Sequence, residues 1–303
     1  MTLLSDNAKQ EIAKNIELID DSCLNCDCQN EEGLDEIQFG EKVFDKLVID
    51  HETELFNSSK IPKVHFIVPT SQMDWQFDAC MEKPNSVQYK ISTWCSENTE
   101  RLSAITGCGG VSMNCNVTSM PLNILDIEAM RGTKNNVLVL PFGIWIQDLR
   151  SDNVEAILDE LVPAILDPKT DIKQLIASKE YLYESHKKAF IFICSHKTRD
   201  KRCGITAPIL KKIFDRELQN HGLFRDNSDL RGDGVNVSYI NHVGGHKFAA
   251  NVQIYLKDQH TLVWFGRITP KDIPHIVNHL IVPDHGKLPF PEKIRCVKKY
   301  DSW

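Results

Sequence analysis

The chain has 303 residues, of which 42% are hydrophobic and 25% charged, with a formal net charge of -7 at pH 7. This composition is typical of a soluble globular protein with one large or two medium domains. The acidic balance disfavours a general nucleic-acid surface, and no apolar run reaches the roughly 18 residues of a membrane-spanning helix. The first residues do not resemble a secretory signal. We therefore expect a cytoplasmic protein, with the nucleus as a second compartment, that binds neither nucleic acid nor membrane.

The N-terminal half of the sequence predicts a tail followed by an α/β domain. Residues 1–35 are polar and acidic and are expected to form a flexible tail with one short helix. An N-terminal α/β domain is predicted over residues 36–182. Its predicted elements, in chain order, are a strand at 63–68, a helix at 88–101, a strand at 136–140, a helix at 154–166 and a charged helical linker at 167–188.

The C-terminal part, residues 183–303, is predicted to be a thioredoxin-like layer with the order β-α-β-β-β-α. Its predicted elements are a strand at 189–193, a helix from Cys203 through Leu218, a strand at 235–240, a hairpin of strands at 251–256 and 261–265, and a helix at 273–281. Two of these strands lead directly into cysteine- and histidine-bearing loops. Open α/β sheets place their sites at such strand ends.

Two cysteines and two histidines stand out in these loops. Cys194 ends the first strand and Cys203 follows after eight intervening residues, while His242 and His246 flank a Gly-Gly pair. Thiolate and imidazole ligands suit zinc, copper or an iron–sulfur cluster and do not suit calcium or magnesium. The cysteine spacing is wider than that of zinc fingers and differs from a C-x-x-C dithiol.

The local sequence favours ligand roles for all four residues. A helix start and neighbouring cations at Cys203 favour thiolate over thiol, and the glycines between the histidines let the backbone approach something bulky. Cytosolic cysteines stay reduced, which favours metal or catalytic roles over disulfides. A cysteine at a strand end is also often only a small hydrophobic residue, and a cysteine nucleophile with a histidine base is a further alternative.

The runs around these residues resemble the sucrase/ferredoxin-like family, and the resemblance covers most of the chain from about residue 45 onward. It is carried by Phe192–His196, Arg199–Gly204 and Asn241–Ala249. It implies a C-terminal thioredoxin-like ferredoxin domain that holds a [2Fe–2S] cluster. In that arrangement Cys194 and Cys203 bind one iron, and His242 and His246 bind the other.

The implied ligand set predicts redox chemistry. Neutral imidazoles in place of two thiolates raise the reduction potential, as in Rieske centres at roughly -150 to +300 mV against about -400 mV for plant-type ferredoxins. Imidazole N–H groups make reduction proton-coupled. The chain is therefore expected to act in electron transfer or redox sensing with an unidentified redox partner. Nearby cations would stabilise the added charge or dock that partner: Lys197, Arg199, Lys201 and Arg202.

Two further features lie at the chain ends. Trp303 closes a tail, Asp301-Ser302-Trp303, that resembles the C-terminal tryptophan tail by which the cytosolic iron–sulfur assembly targeting complex recognises its clients. Cys23, Cys26 and Cys28 form a compact second cluster outside the family motif. Two other functions stay open: a cluster-dependent oxidoreductase with a substrate site in the N-terminal domain, and a zinc-stabilised interaction module linked to actin organisation.

Overall fold

The computed structural model describes residues 4–20, 34–106, 111–229 and 231–301. The α-helices there are α1 (Asp6–Ala13), α2 (Leu34–Phe44), α3 (Val87–Thr106), α4 (Ile127–Arg131), α5 (Val154–Leu166), α6 (Ile172–Ala177), α7 (Lys201–Asn220) and α8 (Asp272–His275). The strands are β1 (Val64–Pro69), β2 (Met113–Thr118), β3 (Lys134–Leu140), β4 (Ile144–Arg150), β5 (Leu182–Glu184), β6 (Ala189–Cys194), β7 (Phe224–Arg225), β8 (Val235–Ile240), β9 (Val252–Leu256), β10 (Thr261–Phe265) and β11 (Ile294–Lys299). Within these ranges, no helix combines the length and apolarity needed to cross a bilayer.

The contacts divide the chain into two compact units. One contains Ile61–His186, and the other contains Lys187–Tyr300 together with the N-terminal residues up to Lys60. The mixed α/β fold class that the sequence predicts is confirmed by both units. The domain limits predicted from the sequence, 36–182 and 183–303, stay predictions.

The Ile61–His186 unit is built on β1. This strand pairs in parallel with β2 and antiparallel with β3, and β3 continues to β4 and β5 through antiparallel pairs. Every residue of β1 is buried, which is expected of a strand with neighbours on both edges and apolar β-branched residues along its length. The core of this unit therefore lies on β1 and its neighbours, with helix α3 packed on β1 and β2 and helix α5 packed on α3.

The other unit carries the cysteines and histidines singled out above. Its strands follow the order β11-β10-β9-β6-β8, with β7 on the outer side of β8. Strand β6 runs parallel to β8 and antiparallel to β9, and all of its residues are buried. Helix α7 packs on β6 and β8 through apolar side chains spaced three to four residues apart, including Leu210, Phe214 and Leu218. Each of these buried side chains contributes about 1.5–3 kcal/mol.

Most predicted elements occur within two or three residues of their expected limits, and the differences have clear causes. The helical linker predicted at 167–188 is wrong, because only α6 is helical there and Leu182–Glu184 pairs with β4. Helix α7 begins before Cys203, because Asp200 caps its first turn. The predicted helix at 273–281 is a short α-helix followed by a π-helical turn, Ile276–Ile281. The short helix expected in the N-terminal tail is α1, and residues 1–3 and 21–33 of that tail lie outside the described residues.

Candidate metal centre

Cys194 is placed by the central strand of its unit. It is the last residue of β6 and is 1% exposed. Its backbone N–H donates to the carbonyl oxygen of Asn251 at 3.1 Å, and its register partner on β8 is Ile240. The thiol therefore sits at the carboxyl end of two parallel strands, next to the loop that follows β8.

Cys203 reaches the same point from helix α7. The helix starts after Asp200, whose carboxylate accepts from the backbone N–H of Arg202 at 2.9 Å, and Cys203 is fully buried in the first turn. The Cys203 thiol hydrogen-bonds to Cys194. This contact brings together the two cysteines that are separated by eight residues in the sequence.

The first proton of the thiol pair is lost at a lowered pKa and the second at a raised pKa. The pKa of Cys194 is lowered well below its ordinary value, first by the hydrogen bond from Cys203 and then by the His242 ring. The pKa of Cys203 is raised, first by its hydrogen bond to Cys194 and then by burial. The expectation that helix α7 favours the Cys203 thiolate stays a prediction, because the two adjacent thiols titrate as a pair and their thiolates repel each other.

The two histidines lie in the loop after β8. Their ring centroids are 5.4 Å apart, so they form a pair. His242 contacts Cys194 and is half-buried, whereas His246 is exposed. The Nδ1 atom of His242 is buried and has no hydrogen-bond partner among the described residues. Such an atom is uncommon in folded proteins and calls for a ligand, a water or an ion.

Two glycines with positive φ angles form the turn between His242 and His246. Gly244 and Gly245 have φ values of 81° and 66°, a region that residues with a side chain rarely adopt. A Cβ on Gly245 would lie 2.5 Å from Nη2 of Arg295. Gly245 therefore packs closely against the buried guanidinium of Arg295. The glycines predicted such a close approach to a bulky group.

Three residues of the site were not predicted from the sequence. His196 accepts the backbone N–H of His242 on Nδ1 at 3.1 Å, which ties the loop after β6 to the loop after β8. Asn251 and Arg295 both hold the glycine pair, through the carbonyls of Gly245 and Gly244. The position of His196 two residues after Cys194 was a usable signal. The other two are distant in sequence, and only the folded chain brings them to the loop.

The four side chains form two pairs of ligands rather than one group around a single metal ion. In the described part of the chain, no group of three or more His, Cys, Asp or Glu side chains is arranged to hold a single metal ion. The buried thiol pair and the imidazole pair meet where Cys194 touches His242. A [2Fe–2S] cluster with mixed ligands takes two protein ligands on each iron, so the donor set fits such a cluster. The unpartnered Nδ1 of His242 is available for that purpose.

The remaining candidates lie elsewhere. Of the four cations after Cys194, Arg202 pairs with Asp200 and donates to the carbonyl of Val48 at 2.8 Å, while the other three are exposed. Cys23, Cys26, Cys28 and Trp303 lie outside the described residues. In the other unit, the thiol of Cys80 donates to the carbonyl of Cys115 at 3.3 Å.

A strand-end cysteine, a helix-start cysteine and a histidine loop therefore lie together on an α/β sheet. The chain belongs to the sucrase/ferredoxin-like family, whose sequence model matches residues 55–296. It is similar to "Actin patches distal protein 1" of Saccharomyces cerevisiae, with 56% identity over 305 residues, covering 99% of this chain and 95% of that protein. It is also similar to "Altered inheritance of mitochondria protein 32" of Clavispora lusitaniae, with 38% identity over 95 residues and 31% of each chain covered. No solved structure matches the chain significantly.

Proposed function

We propose that this chain is a [2Fe–2S] cluster protein that acts in electron transfer or redox sensing. Cys194 and Cys203 would hold one iron and His242 and His246 the other. The observation that carries this proposal is the meeting of a buried thiol pair with an imidazole pair, one of whose nitrogens is buried and unpartnered. Bound in this way, the cluster would supply reversible one-electron chemistry at a potential above that of all-cysteine ferredoxins.

The surroundings of the four residues support this role. Burial of both cysteines keeps water from the sulfur ligands, and the lowered pKa of Cys194 provides a thiolate, the form that binds iron. Exposure of His246 leaves the imidazole side open to solvent, where a redox partner would approach. The exposed Lys197, Arg199 and Lys201 lie close in sequence to Cys194 and would attract an acidic partner.

The proposal is tested by anaerobic purification of the full chain, followed by iron and acid-labile sulfide assays and visible and electron paramagnetic resonance spectra. Equal iron and sulfide are expected, with a coloured protein. Stoichiometric zinc without sulfide would contradict the proposal and favour the zinc-stabilised module. Cys194→Ser and Cys203→Ser should abolish the cluster, whereas Cys95→Ser, a buried cysteine of the other unit, should retain it.

A second part of the proposal concerns the cellular role. The chain is similar along 99% of its length to a protein named for actin patches, and we infer a cytoplasmic protein with an actin-related role. Removal of the chain from its cells should change the distribution of actin patches stained with phalloidin. Restoration by the Cys194→Ser variant would show that the actin role does not need the cluster.

We also propose that Trp303 directs the chain to the cytosolic iron–sulfur assembly targeting complex. Its support is the Asp-Ser-Trp ending of the sequence, which resembles the tail of other clients. Binding of the purified complex to a peptide of the last residues, compared with the same peptide lacking Trp303, tests this directly.

A further inference from the structure

Arg295 is a buried cation with neutral partners. It is 2% exposed on β11, where a charged residue is uncommon. Its guanidinium donates to the carbonyl of Gly244 at 2.9 Å, to Oδ1 of Asn251 at 2.8 Å, and to the carbonyl and hydroxyl oxygens of Ser58 at 3.0 and 3.1 Å. It also lies over the ring of Trp264, at 4.8 Å from the centroid. Among the described residues, no carboxylate forms an ion pair with it.

An unpaired buried cation is costly, because the guanidinium loses its hydration and gains no opposite charge. Burial lowers the pKa of Arg295 to about 10, which still leaves the side chain charged at neutral pH. The nearby thiols of Cys296 and then of Cys194 act in the opposite direction and favour the guanidinium cation. Its hydrogen bonds to the carbonyl of Gly244 and to Oδ1 of Asn251 place this charge beside the histidine loop of the candidate metal centre.

Arg295 is also tied to both halves of that centre. Through Gly244 it holds the middle of the loop between His242 and His246. Through Asn251 it reaches further, because the Asn251 amide donates to the carbonyl of Gly245 at 3.1 Å and the Asn251 carbonyl accepts the N–H of Cys194 at 3.1 Å. A change at Arg295 is thus transmitted to the thiolate strand and to the histidine loop.

We propose that Arg295 is a positioning residue of the metal centre, which fixes the histidine loop and supplies the positive charge that stabilises the reduced state. This inference rests on the proposed function, since it needs a cluster that gains one negative charge on reduction. A buried charge acts at a low effective dielectric and is poorly screened by salt. Arg295 should therefore affect the potential more than the exposed cations do.

Two substitutions separate charge from position. Arg295→Gln removes the positive charge, whereas Arg295→Lys keeps it but cannot reproduce the forked set of hydrogen bonds. The matched control is Arg231→Gln, which removes one charge from the same unit at an arginine whose side chain is 75% exposed and paired with Asp229. All three are made in the full chain.

The first measurement is the midpoint potential, followed by electron paramagnetic resonance during redox titration. Arg295→Gln should lower the equilibrium constant for reduction about tenfold, which is about 59 mV. Arg295→Lys should lower the midpoint potential by less than half of that shift. Arg231→Gln should leave the midpoint potential unchanged. An unchanged potential in Arg295→Gln at wild-type cluster content would overturn the proposal, as would equal shifts in Arg295→Gln and Arg231→Gln.

The second measurement does not need the cluster. Amide hydrogen exchange of residues 242–251 in the cluster-free protein should be at least tenfold faster in both Arg295 variants than in wild type and Arg231→Gln. Unchanged exchange would overturn the positioning role. A wild-type protein without iron and sulfide would instead refute the proposed function. If Arg295→Gln does not fold, the midpoint potential and the amide hydrogen exchange of Arg295→Lys test the proposal instead.

Discussion

Alanine substitutions at the two glycines between His242 and His246 probe the packing of the histidine loop. Gly244 and Gly245 both have positive φ values, 81° and 66°, so alanine is strained at each. Their surroundings differ. A Cβ on Gly244 would have no heavy atom within 4 Å, whereas one on Gly245 would lie 2.5 Å from Nη2 and 2.7 Å from Cζ of Arg295. The pair therefore separates backbone strain from packing against the guanidinium.

The expected magnitudes follow from these contacts. Backbone strain should cost about 1–3 kcal/mol in Gly244→Ala and a similar amount in Gly245→Ala. The Arg295 guanidinium is buried and fixed by hydrogen bonds, so it cannot move aside as a flexible side-chain end would. Overpacking should add about 1–3 kcal/mol in Gly245→Ala. We therefore expect Gly245→Ala to be the more destabilising substitution.

Native-state hydrogen exchange measures this difference where it arises. A chain with two compact units need not unfold in one transition, so a single free energy of unfolding is poorly defined. Peptides covering β6, β8 and β9 report the opening free energy of the relevant unit. Opening free energies that agree within about 0.5 kcal/mol between the two variants would refute the packing argument, because Arg295 would then yield at little cost.

Three further predictions concern acid stability, helix capping and cluster delivery. His65 is fully buried, its Nε2 lies 2.8 Å from Oδ1 of Asn116, and burial lowers its pKa to about 4. The unfolded chain therefore binds a proton between about pH 6.5 and 4 that the folded chain does not. Stability of the Ile61–His186 unit should fall by up to about 3 kcal/mol as the pH falls through that window. His65→Gln should flatten this dependence in urea unfolding, and an unchanged slope would contradict the assignment. Asp200→Ala should destabilise the first turn of α7 by about 0.5–2 kcal/mol. The control is Asp171→Ala, because the Asp171 carboxylate caps α6 in the other unit; equal protection of α7 amides in the two variants would argue against the prediction. Deletion of Trp303 should lower the iron content of protein isolated from cells while leaving the thermal unfolding of the cluster-free protein unchanged, and full iron content would show that the tail is not used.

The candidate cysteines and histidines could be found in the sequence because their signals are local. Strands β6 and β8 are short apolar runs that each lead into a reactive loop, and a strand places the residue after it at a sheet edge whatever surrounds it. Helix α7 was predicted through its apolar spacing, although its first residue depended on the Asp200 cap. Strands β2, β4, β5, β7 and β11 were missed. Asn114, Asn116 and Gln147 interrupt the apolar pattern of the first two, and β11 ends in two lysines.

The sequence by itself determined the α/β class and singled out four candidate donor residues, since residue type and spacing decide which metals a loop could bind. Only the tertiary structure brought Cys203 and His242 against Cys194, because these residues come from helix α7, the loop after β8 and strand β6. It also decided what the glycine loop packs against. Arg295 is 50 residues from Gly245 in the chain and meets it only when β11 joins the sheet edge beside β10. Burial and long-range contact set the charge of a site, and neither is encoded in the spacing of its ligands.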